Sequence, residues 1–149
     1  MKNHAGRGPK LKLGTELLMT GGLLLFVVSC AGGPAQNQAR LPIGHVDAPT
    51  NGATVGSSLN AGGWALSEDG IDSISIYIDR TYLTSTFPNT ERPDVLKAFP
   101  AFAGQKNLGW SLAVDLASLS SGLHEVDVQA RSKKGAVRDI GSIQVTVSK

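Results

Sequence analysis

The sequence predicts an all-β domain, an antiparallel β-sandwich of about seven strands, behind a cleaved export signal. Three observations carry this. Beyond Arg40, apolar residues recur at every second position and no stretch sustains a helical period. Gly, Asn, Asp and Pro fall between those runs, where a β-meander needs its turns. A basic stretch followed by an apolar run opens the chain and ends at its only cysteine, Cys30.

Met1 to Glu16 carries Lys2, Arg7, Lys10 and Lys12 against the single acid Glu16, and Leu17 to Val28 is apolar. A membrane-spanning helix needs about 20 apolar residues. This run is shorter, and Thr20, Gly21 and Gly22 interrupt it. Residues 1–29 therefore read as a cleavable signal peptide. Its last residues, Val27-Val28-Ser29-Cys30, resemble the lipobox of bacterial lipoproteins. The resemblance implies a diacylglyceryl group on the Cys30 sulfur and often a third acyl chain, such as palmitate, on its amine. One acyl chain anchors only marginally, whereas two or more hold essentially permanently. The competing reading is an ordinary secretory cut that leaves a free thiol, a liability in an oxidising compartment. Ala31 follows, rather than the aspartate that keeps many such proteins in the inner membrane. In a host with two membranes, the resemblance implies the outer one.

Residues 30–41 are rich in Gly, Pro, Gln, Asn and Ala, too poor in apolar surface to order themselves, and read as a flexible tether. Residues 42–149 then supply one domain. Four of the 14 basic residues and one of the 12 acids lie in the signal, so the domain is close to neutral. Only Arg131, Lys133 and Lys134 cluster, as a solvated hairpin loop would, and nucleic acid is not an expected partner.

The strands follow in order. Pro49-Thr50-Asn51-Gly52 separates a strand near Ile43–Ala48 from one near Leu59–Leu66, which Glu68-Asp69-Gly70 closes. Ile74, Ile76 and Ile78 alternate with polar neighbours, as do Trp110, Leu112, Val114 and Leu116. Val126, Val128 and Ala130 repeat the pattern before Lys133-Lys134-Gly135, and Ile143, Val145 and Val147 after it. Such half-buried strands stack as two sheets, each giving its inward face to the core.

Ile43 to Pro49 with Gly52 to Val55 resembles the opening of bacterial Ig-like domains, and Gly63-Trp64-Ala65-Leu66 with Gly70-Ile71 resembles their next motif. Leu119 with Gly122-Leu123-His124 matches a third, so the resemblance covers residues 43–148. Arg80 stands where a turn glycine is common, and Arg131-Ser132 replaces the usual Ala-x-Asp. The family serves as spacer, adhesive or accessory module, and fold alone does not fix its function.

The unusual segment is Phe87 to Asn107, longer than most connections in a compact domain. Asp94 through Ala98 reads as one helical turn capped by Asp94. Two readings compete. In one, Phe99 and Phe102 pack, Arg92 pairs with Asp94 or Glu91, and Trp64 lies beneath the loop. In the other, Arg92, Asp94, Phe99, Phe102 and Trp64 form a recognition surface for protein or glycan. Trp110 reads as core, and His45 and His124 as structural. Glu68, Asp69 and Asp72 are solvated turn acids or a calcium site. The sequence holds no zinc spacing and no nucleophile elbow, so no cofactor and no enzymatic activity are expected.

The expected function is that of a lipid-anchored envelope module that binds or adapts without catalysis. A carbohydrate-binding module is the alternative, which exposed Trp64, Phe99 or Tyr82 would favour. A structural subunit of an envelope assembly is the third, which an unpaired edge strand would favour.

Overall fold

A computed structural model describes residues 39–149. The signal peptide, Cys30 and the tether as far as residue 38 lie outside the described residues. The chain runs β1 (Ile43–Ala48), β2 (Ala53–Val55), β3 (Ser58–Leu66), β4 (Ile71–Ile78), β5 (Thr81–Thr86), β6 (Thr90–Glu91), α1 (Pro93–Ala98), a 3-10 turn (Pro100–Phe102), β7 (Asn107–Asp115), β8 (Gly122–Ser132) and β9 (Val137–Val147).

These strands form a four-stranded sheet, β1-β3-β7-β6, and a five-stranded sheet, β2-β9-β8-β4-β5. The all-β sandwich is as expected. Two details differ: short β2 and β6 raise the strand number to nine, and β2 runs parallel to β9. Parallel pairing arises because β2 leaves β1 without a hairpin and crosses to the other sheet.

Alternation decides which faces meet. Ile74, Ile76 and Ile78 from β4 and Val126, Val128 and Ala130 from β8 turn inward. They meet Leu59, Ala61, Ala65, Trp110 and Val114 of the opposite sheet in one buried core. Each fully buried branched side chain stabilises the fold by about 1.5–3 kcal/mol. Gly63 lets its neighbours within the four-stranded sheet approach: a Cβ there would run into the His45 carbonyl of β1 and sit 3.0 Å from Trp110 Cζ2 of β7.

Of the tether expected over 30–41, the described end is held. The Arg40 amide donates to Asp69 Oδ2 at 2.8 Å, and its guanidinium lies 3.5 Å from Glu68.

Candidate functional site

The long segment after β5 builds a small second core. Leu66, Val95 and Leu108 are buried, and Ile43, Trp64, Leu96, Phe99 and Phe102 pack around them. Trp64 points away from the inward row of Ala61, Gly63 and Ala65 and meets Phe99, with ring centroids 5.5 Å apart. Sequence reading placed these aromatics together, and the structure joins them by packing.

Arg92 clips the segment to the sheet. Its Nε and Nη2 donate to the two Asp94 carboxylate oxygens at 2.9 and 2.7 Å, and Nη1 donates to Asp47 Oδ2 at 2.6 Å. The paired guanidinium holds the Asp94 carboxyl down to about 2, and the two carboxylates raise Arg92 further above its ordinary value. Asp94 does not cap α1. Arg92 occupies that position, and its donor-only guanidinium makes no cap bond; it pairs with both Asp94 oxygens instead. Gly109 makes the room: a Cβ there would lie 2.7 Å from Arg92 Cγ. Sequence reading missed Asp47 and Gly109, whose roles depend on β1 and β7 converging on the loop.

Next to the clip, the Asn89 carboxamide donates to the Ser111 carbonyl at 3.0 Å and accepts from its amide at 3.2 Å. One side chain thus continues the β6 ladder along β7 as a peptide group would.

His124 is structural, as expected. Its Nδ1 lies 2.7 Å from Asp79 Oδ2 and its Nε2 3.0 Å from the Ser120 carbonyl. The Asp79 contact, helped by Ser120, raises its pKa, while His124 and the Glu125 amide lower that of Asp79. Asp69 joins Lys134 and the Arg40 amide, both of which lower its pKa. The described residues contain no group of three or more His, Cys, Asp or Glu placed to hold a metal ion.

The outer face of the five-stranded sheet is different. Tyr77 of β4 pairs with Asp127 of β8, and Gln129 pairs with Asp139 of β9. With Arg80 from the β4–β5 turn, these residues line a shallow groove of about 250 Å³. Tyr82 stands beside it, 55% exposed, in an edge-on contact with Tyr77 at 5.7 Å. Gln129 Nε2 donates to Asp139 Oδ1 at 2.9 Å. Among the described residues, neither the Arg80 guanidinium nor the Asp127 carboxylate has a hydrogen-bond or ion-pair partner. Sequence reading missed this groove, since only register brings its residues together. The one available signal was Arg80 in a glycine position.

No protein-family model matches the chain, and no curated protein matches it. Among solved structures it is similar to the fibronectin(III)-like modules of CbhA from Clostridium thermocellum, at 17% identity over 73% of this chain and 47% of that one, with TM-score 0.48. It is also similar to the twitchin kinase region of C. elegans, at 15% identity over 74% of this chain and 17% of that one, with TM-score 0.44. CopC from Methylosinus trichosporium is 18% identical over 70% of this chain and 93% of that one, with TM-score 0.38. The chain spans less than half the length of the first two.

Proposed function

We propose that the chain is an envelope lipoprotein, anchored by acyl chains on Cys30, whose sandwich is a non-catalytic binding or adaptor module. In a host with two membranes it belongs to the outer one. The observation that supports the binding part is the edge strand β5, a feature shared with the reading of a structural subunit in an envelope assembly. An edge presents unpaired backbone N–H and C=O groups, and proteins usually blunt it. Here β1 carries a bulge at Asp47, β2 and β6 have three and two residues, and Asn89 covers Ser111 of β7. Only a bulge at Leu83 interrupts β5. Its six residues, Thr81-Tyr82-Leu83-Thr84-Ser85-Thr86, contain neither charge nor proline. Four β-branched or aromatic residues give it high strand propensity. An extended segment of a partner protein can add to it as a further strand.

The recognition surface therefore moves from the long loop, where Arg92, Asp94, Trp64, Phe99 and Phe102 hold one another, to the β5 edge. In-cell photo-crosslinking tests this, with a photoreactive residue at Ser85 and a comparison probe at Asp94. A discrete protein adduct from Ser85, absent from Asp94, is the expected result. Adducts from Asp94 alone would return the partner to the loop, and none from either would remove the adaptor role.

A further inference from the structure

We infer that the outer face of the five-stranded sheet carries a binding site for a neutral saccharide, centred on Tyr77 and lined by Arg80, Asp127, Gln129 and Asp139. The site deepens the binding role proposed for the sandwich and rests on it, but it is separate from strand pairing at β5.

Placement comes first. Ile76, Ile78, Val126 and Val128 are buried in the core, so Tyr77, Asp127 and Gln129 between and beside them point outward together. A bulge lies on each side of this row. On the β5 side the register shifts between Ile76 and Tyr77, where Leu83 is the extra residue; on the β9 side it shifts between Val128 and Gln129, where Ile140 is extra. A bulge re-aims the side chains next to it. Here Tyr82 is brought opposite Tyr77, and Asp139 opposite Gln129.

Arg80 is the second, independent observation. It takes φ of 67°, a left-handed conformation that costs a non-glycine residue of order 1–3 kcal/mol. Its side chain recovers none of that within the described residues, since no ion pair or hydrogen bond holds it. Arg92 shows the opposite case, with two carboxylates on its guanidinium. A strained arginine that lines a groove beside an unpaired carboxylate is arranged for something outside the chain.

The chemistry of the lining selects the ligand. The Tyr77 and Tyr82 rings offer apolar surface suited to the C–H face of a sugar ring. Around them a planar guanidinium donates, two carboxylates accept and an amide does both, the set that matches hydroxyl groups at several angles. Two carboxylates against one guanidinium disfavour an acidic glycan. The groove is shallow and small beside the about 300–1,000 Å³ of sites that enclose drug-sized molecules. It therefore fits one or two units of a longer chain lying across the sheet.

Affinity electrophoresis of the detergent-solubilised full chain tests the site, in native gels containing glycol chitin, hydroxyethyl cellulose, galactomannan or, as an acidic control, alginate. We expect retardation by at least one neutral polymer, weakened about tenfold by Tyr77→Ala and by Asp127→Asn. Tyr77→Phe keeps the ring and most of the retardation. Asp127→Asn changes an outward side chain without altering its size, so it reports on the site even where Tyr77→Ala disturbs the sheet. Unchanged migration in all three neutral polymers would overturn the inference. So would retardation by alginate alone, or retardation that both substitutions leave intact. A Ser85 adduct is read from protein crosslinks, so either result can fail without the other.

Discussion

At the scale of single residues, the β4–β5 turn sets backbone conformation against side-chain chemistry. Asp79 and Arg80 both have positive φ, 49° and 67°, as a two-residue hairpin of primed type requires. Asp79 is held there by His124 and the Glu125 amide, whereas Arg80 has no such support. Arg80→Gly should therefore stabilise the fold by about 1 kcal/mol in urea denaturation, while weakening saccharide retardation. An unchanged midpoint would mean that the turn is not strained. The same turn gives the fold a pH dependence. His124 has a raised pKa, so its contribution is complete below its ordinary value of 6.5 and is lost as pH rises through the folded value. Asp79 has a lowered pKa, so its contribution is complete above 3.8 and is lost as pH falls through the folded value. The urea midpoint should decline as pH rises from about 6 to 9, and His124→Gln should flatten that slope. A wild-type midpoint constant over this range would show that the contact contributes nothing to stability.

Among the elements, legibility followed side-chain size. β4, β7, β8 and β9 were readable because large apolar residues alternate with polar ones along them. β5 was not, because its inward positions include Thr84 and Thr86, which look polar in a sequence yet sit on a half-buried face. β2 and β6 are too short to show any period, and α1 is a single short helix fixed by tertiary contacts. The long segment was legible in its residues but not in its anchorage: Arg92 with Asp94 is local, while Asp47 and Gly109 come from distant strands. That anchorage is testable. Gly109→Ala places a methyl group against the Arg92 stem, so it should release the clip and destabilise the fold by about 1–3 kcal/mol. Amide exchange should rise mainly in α1 and around Phe99, leaving β4 and β8 protected. Uniform loosening of both sheets would show that the segment is integral to the main core.

At the scale of the whole molecule, the proposed anchor decides what the sandwich presents to its surroundings. The domain is close to neutral, so charge does not bring it to a membrane, and the lipid proposed on Cys30 would have to do so. An open edge at β5 and a groove on the outer face of the same sheet then serve different ligands, since strand pairing uses backbone and the groove uses side chains. The proposed anchorage depends on acylation at one atom. Cells fed an alkyne fatty acid should label the wild-type chain and not Cys30→Ser, as read by fluorescence after click coupling. Equal labelling of both would place the lipid elsewhere. Absence of label from the wild type would make the protein a secreted sandwich that has to find its partners by diffusion.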